Sequence, residues 1–303
     1  MSRYDGRFDV LMALRDLVSG SDQPWFVLID PMSRTDLSCI ERFNRQRYRV
    51  DLTRYGIDES LCPYVVEILG SRDEFLEETV SLAWERRQDW QEPQPVCGWL
   101  CSNRSPAAVA LSIKHLAVSQ LEGGRWNLRR FYDPRVVRHA SFSNCPVRVP
   151  GGWERWIQLG LDGILYPIPG GVPGVKNDGL SESDVIHERW AIPTIAAMAQ
   201  LQRFGEMTPA HEVQLQSAVR CGMTLGFPPE SSADAASFLL HKVLIHPEIE
   251  RHPTIRAWLD QAALGGSSYA DRSAEAPSGW WNDVKSGRWT VELKDESREM
   301  QHG

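Results

Sequence analysis

The sequence predicts an α/β N-terminal domain, a mixed sheet with flanking helices, joined to an all-helical C-terminal domain. Two patterns lead there. In the first half, short apolar runs of strand length alternate with stretches of helical period. From Ser181 onward only the helical period recurs. At 303 residues the chain is long enough for two cores. The reading divides it into an α/β domain over 1–150, a Trp/Gly-rich connecting segment over 151–180, a helical domain over 181–265 and a polar, partly disordered tail over 266–303.

Asp9–Val18 puts Val10, Leu11, Leu14, Leu17 and Val18 on one helical face, and Ser19-Gly20 ends it. Trp25–Ile29 is an unbroken apolar run suited to a strand buried on both sides. Ser38–Gln46 reads as a short helix. Ser71–Trp84 is a stronger one, with Phe75, Leu76, Thr79, Val80 and Ala83 along one side and Asp73 and Glu74 at its positive end. Pro93 and Pro95 break the chain before a strand at Val96–Cys101. Ser105-Pro106 then opens a helix carrying Val109, Leu111, Ile113, Leu116 and Val118. After Gly123-Gly124, the alternation over Asn127–Tyr132 suits a half-buried strand. Gly151–Gly179 suggests one or two strands and a flexible loop. Helices are expected over 183–204, 208–225, 231–245 and 252–264, with Thr208-Pro209 and Ser231–Asp234 as starts.

Composition narrows the function. The net charge of −7 falls wholly in the second half: residues 1–150 carry 20 basic and 20 acidic groups, and 151–303 carry 13 and 20. Nucleic-acid binding needs a concentrated basic face, so it is not expected. The one basic cluster, Arg42, Arg45, Arg47, Arg49 and Arg54, is interrupted by acids and reads first as an ion-paired edge. No apolar run approaches the roughly 20 residues of a membrane span. The N-terminus has no signal-peptide pattern, which leads to a cytoplasmic expectation. The six cysteines lack disulfide or zinc spacing, and Cys97 and Cys101 are expected on one strand face.

Catalytic patterns are weak. His241, His246 and His252 are spaced by five and six residues, which does not align three metal ligands on a helix. Gly170–Gly179 lacks the strand–turn–helix setting of a phosphate loop, and Ser102 lacks the glycines of a nucleophile elbow. Asp30, Asp133 and Asp162 could gather as carboxylates at strand ends, though each also suits a turn or cap. No enzyme activity, metal or cofactor is expected. Trp280, Trp281 and Trp289 stand in polar surroundings and are candidate partner-binding residues with Arg42, Arg45 and Arg47.

The most informative string is Arg130-Phe131-Tyr132-Asp133-Pro134-Arg135. Asp133 is a helix cap, Pro134 a first helical residue, and the two arginines flank the carboxylate, which suggests an ion-paired structural corner. The string resembles the hallmark of the type VI secretion effector chaperones, or adaptors. Trp25–Asp30, Cys62–Ile68 and Gly98–Ser102 with the helix that follows are similar to other segments of that family. The resemblance spans about residues 24–145, and the helical half is similar to the C-terminal part of many members. It implies a protein that binds a cognate toxin and helps load it on the valine-glycine-repeat spike, a spike contact being a further expectation. Two other readings stay open: an α/β hydrolase or nucleotide-binding enzyme using the strand-end aspartates, and an immunity protein that neutralises a toxin.

Overall fold

The computed structural model describes residues 6–33, 35–120, 126–142, 153–160, 163–168, 189–205, 208–229 and 231–290. The chain divides into two compact units, Met1–Leu180 and Ser181–Gly303.

The first unit is built on a six-stranded sheet. Its strands are β1 (Trp25–Ile29), β2 (Tyr48–Arg49), β3 (Tyr64–Ile68), β4 (Val96–Cys101), β7 (Arg155–Leu159) and β8 (Leu165–Ile168), in the order β2-β3-β1-β4-β7-β8. A hairpin of β5 (Val118–Gln120) and β6 (Trp126–Leu128) lies apart from it. Every described pairing is antiparallel, where a mixed sheet was expected. The helices between strands pack on the sheet as expected, but the strands they join pair with antiparallel neighbours. The segment expected to connect the domains supplies β7 and β8 and so completes this sheet. Its anticipated loop over 170–179 lies outside the described residues.

β1 and β4 are buried at every position, as strands covered on both faces must be. On one face Trp25, Val27 and Ile29 pack with α1 (Gly6–Ser19) through Val10 and Leu14, and with α3 (Glu74–Arg86) through Phe75, Leu76 and Val80. On the other, Phe26 and Leu28 meet Val109 and Ile113 of α4 (Pro106–Ala117), and Phe131, Tyr132 and Val137 at α5 (Pro134–Phe142). A short α2 (Ser38–Glu41) precedes β2. Burying each large apolar side chain contributes about 1.5–3 kcal/mol, so these two faces supply a large part of the first unit's drive to fold.

A bulge sits where β1 meets β4. Leu28 pairs with Gly98 and Ile29 with Val96, leaving Cys97 as the extra residue. Gly98 has φ 132°, and a Cβ there would lie 2.5 Å from the Ile157 carbonyl oxygen, so glycine is required. The bulge also overturns the expected placing of two cysteines. Cys97 joins the α4 face and Cys101 the α1/α3 face, because the extra residue resets the alternation.

Among the described residues β8 is an edge strand, and it is guarded. Gly160 N–H donates to the Ile164 carbonyl, which places Pro167 where its backbone nitrogen faces away from β7 and offers no donor to a further strand.

The second unit is helical: α6 (Ala191–Phe204), α7 (Pro209–Thr224), α8 (Ser232–Leu244), α9 (Pro253–Ala263), α10 (Tyr269–Glu275) and α11 (Ser278–Lys285). α8 packs against α6, α7 and α10. Asp234 at the start of α8 accepts from Ser268 Oγ at 2.6 Å and Ala270 N–H at 2.8 Å, tying α10 to it. The segment expected to open a partly disordered tail is therefore helical and packed as far as Thr290.

Candidate functional site

The Arg130–Arg135 string forms a buried corner where four distant segments meet. Asp133 begins α5 as expected: its Oδ1 accepts the Arg135 N–H at 3.0 Å, and Pro134 occupies the first helical position. The Arg135 side chain folds back on the same carboxylate, Nη2 to Oδ2 at 2.7 Å and Nε to Oδ1 at 3.1 Å. Its Nη1 donates to the Trp90 carbonyl at 3.0 Å. Arg130 reaches 3.6 Å from Asp133 Oδ2 and donates from Nη2 to Oδ2 of Asp30, at the end of β1. The other Asp30 oxygen accepts the Met32 N–H at 2.9 Å. Asp30 thus turns the chain out of β1 while anchoring an arginine 100 residues away.

Gln158 of β7 joins this corner to the bulge. Its Nε2 donates to the Cys97 carbonyl at 2.9 Å and to the Tyr132 carbonyl at 3.0 Å. Trp156 Nε1 also donates to the Cys97 carbonyl, at 3.3 Å. Neither Gln158 nor the Trp90 carbonyl was picked out from sequence. A glutamine between apolar neighbours on a strand is the only local sign of the first.

Both carboxylates are almost without solvent, at 0% and 2% exposure for Asp30 and Asp133. Burial pushes the Asp30 carboxyl up, and Arg130 pulls it back. For Arg130 itself desolvation acts downward, but the Asp30 and Asp133 charges outweigh it and hold the guanidinium protonated. Burial, then the nearby Asp30 charge, raises the Tyr132 hydroxyl. With both acids facing arginines and hydrogen-bonded within the protein, the corner is built to clamp chain segments together. Asp162, the third strand-end aspartate, lies outside the described residues.

The remaining candidates fall in two groups. Arg42, Arg45, Arg47 and Arg49 each meet an acid: Glu78, Asp73 at 2.6 Å, Glu41 at 3.2 Å and Glu59, respectively. Arg45 also donates to the Glu67 carbonyl at 3.0 Å, beyond the end of β2. The three tail tryptophans pack on their own unit. Trp281 lies 4.5 Å from the His241 ring, Trp289 5.0 Å from His246, and Trp280 5.3 Å from His252. Trp281 Nε1 donates to the Ser273 carbonyl at 3.2 Å and Trp289 Nε1 to that of Val284 at 2.9 Å. The irregular histidine spacing that suits no metal suits three separate rings. Burial lowers the His241 pKa to about 4, and its Nδ1 shares a 2.8 Å hydrogen bond with the Tyr269 hydroxyl. Among the described residues no group of three or more His, Cys, Asp or Glu is placed to hold a metal ion, and no helix is long and apolar enough to cross a membrane.

No curated protein and no solved structure matches the chain. A family model does: residues 51–144 match the domain of unknown function DUF4123, a domain associated with type VI secretion effector adaptors. The match takes in β3, α3, β4, α4 and the Arg130–Arg135 corner, and ends just beyond α5.

Proposed function

We propose that this chain is a cytoplasmic chaperone or adaptor that binds a cognate type VI secretion effector and helps load it onto the valine-glycine-repeat spike. The observation that carries the reading is the DUF4123 match, which falls on the segment containing the corner. The corner supports it physically. Its charges face one another inside the fold, which suits a rigid scaffold for association better than a site that must expose an acid or base to substrate. Binding of this kind works by burying complementary surface, on the order of 1,200–2,000 Å² in total for a stable complex.

The test is genetic and biochemical. The tagged chain is purified from producing cells and its stoichiometric partner identified. The gene is then deleted and delivery of that partner into neighbouring cells is measured. The adaptor reading expects a toxin as partner, and its delivery lost while the secretion tube is still released. Delivery that continues unchanged overturns it. Producing cells poisoned on deletion, with delivery intact, would make the chain an immunity protein instead.

A further inference from the structure

Two exceptions in the first unit coincide on one tyrosine. Of the twelve tryptophans in the chain, eleven are buried or half-buried, and Trp126 alone is exposed, at 52%. Of the five arginines in the basic cluster, four meet carboxylates. Arg54 meets none among the described residues. Both exceptions rest on Tyr55: the Trp126 ring stands edge-on to it at 5.2 Å, and the Arg54 guanidinium lies over it at 5.7 Å.

The backbone that carries these residues is ordered before any partner arrives. Tyr55 ends a 3-10 turn, Thr53–Tyr55, which Gly56 closes with φ 86°. Asp51 braces that turn by accepting from Thr53 Oγ1 at 2.6 Å, and pairs with Lys114 of α4 at 3.3 Å. Its charge is therefore answered locally and does not neutralise Arg54. Trp126 is held by the β5–β6 ladder, where it pairs with Gln120. The exposed tryptophan offers apolar area to a partner, and the guanidinium, with no counter-charge among the described residues, offers a fork to a carboxylate. Trp, Tyr and Arg are also the residues in which interface energy concentrates.

We propose that Arg54, Tyr55 and Trp126 form the anchor that docks the effector, through a segment presenting a carboxylate beside an aliphatic or aromatic side chain. The carboxylate takes the Arg54 fork, and the apolar group covers the Trp126 face that water now touches. The proposal deepens the adaptor reading and rests on it.

The probe is the purified effector recovered with the wild-type chain, titrated calorimetrically against the full-length protein. Trp126→Ala is expected to weaken binding at least about tenfold, the scale of an interface hot spot. Arg54→Glu should weaken it comparably at low salt, with the difference shrinking at high ionic strength. Arg256→Glu, which alters an exposed arginine paired with Asp260, is the control and should bind within about twofold. Should Trp126→Ala lower the melting temperature, Arg54→Glu carries the test, since that side chain is exposed and makes no ion pair among the described residues. Wild-type affinity in both variants overturns the docking proposal and leaves the adaptor reading standing. A wild-type chain that retains no effector overturns both. If Trp126→Ala abolishes only self-association, the face is a contact between copies and the proposal falls.

Discussion

Along the edge beside β2, Arg42 and Arg47 meet their acids with 59% and 45% of each arginine side chain exposed. At the corner the arginines Arg130 and Arg135 are 23% and 6% exposed, and the acids that receive them, Asp30 and Asp133, 0% and 2%. The chemistry is the same and burial separates the consequences. At the edge water can replace either partner, so each pair contributes about 0–1 kcal/mol and fades with salt. In the corner the carboxylates are out of reach of bulk water, so a missing partner leaves a charge poorly solvated at a cost of about 3–5 kcal/mol. Arg45, 18% exposed against an Asp73 at 4%, stands between the two cases. The lesson is that the arginine-rich edge and the arginine corner are alike in composition and differ in what depends on them.

Asp133→Ala should break the corner most severely, lowering stability in denaturant unfolding by about 3–5 kcal/mol. Replacing Asp133 and Arg135 together by leucine should cost less than Asp133→Ala alone, because neither charge is then left unanswered. Equal or greater loss in the double variant would show that packing, not charge, sets the cost. Gly98→Ala comes next. A side chain in that backbone region costs about 1–3 kcal/mol in strain, before the clash with the Ile157 carbonyl is counted. Gln158→Leu removes the donor to two buried carbonyls and should cost about 1–3 kcal/mol. The Cys97 carbonyl keeps Trp156 as a donor, so the loss falls mainly on Tyr132. The smallest effect belongs to the edge. Arg42→Ala should change stability by no more than about 1 kcal/mol, and a larger loss would erase the contrast.

Much of this was legible in the residues. Asp133-Pro134 reads as a capped helix start because both residues act locally, and α5 begins there. Trp25–Ile29 reads as a central strand because five apolar residues in a row have no solvent face, and all five are buried. The helices of the second half follow their spacing closely, with α7, α8 and α9 each within a residue or two of the expected bounds. What stayed hidden depends on contacts between distant residues. The Cys97 bulge is set by pairing with β1, which reversed the expected facing of the two cysteines. The tail looked partly disordered because its apolar density is low, and its tryptophans find their partners on histidines 28 to 43 positions earlier, from 40 (His241 to Trp281) and 43 (His246 to Trp289) to 28 (His252 to Trp280). Nothing local in the sequence marks Trp126 as exposed, because that depends on how the β5–β6 hairpin meets Tyr55.

The ion pair between Arg130 and Asp30 closes a loop of 100 residues, and that span bears on rates as well as on stability. Bringing such distant groups together carries a chain-entropy cost that grows with the logarithm of the loop, so contacts of this kind form late, after the local helices and hairpins. An interaction absent from the transition state stabilises the native protein by slowing its escape. The corner is accordingly a latch on unfolding: weakening it should steepen the loss of native protein with time while leaving the refolding rate nearly unchanged, a split that stopped-flow measurement on Asp30→Asn would resolve.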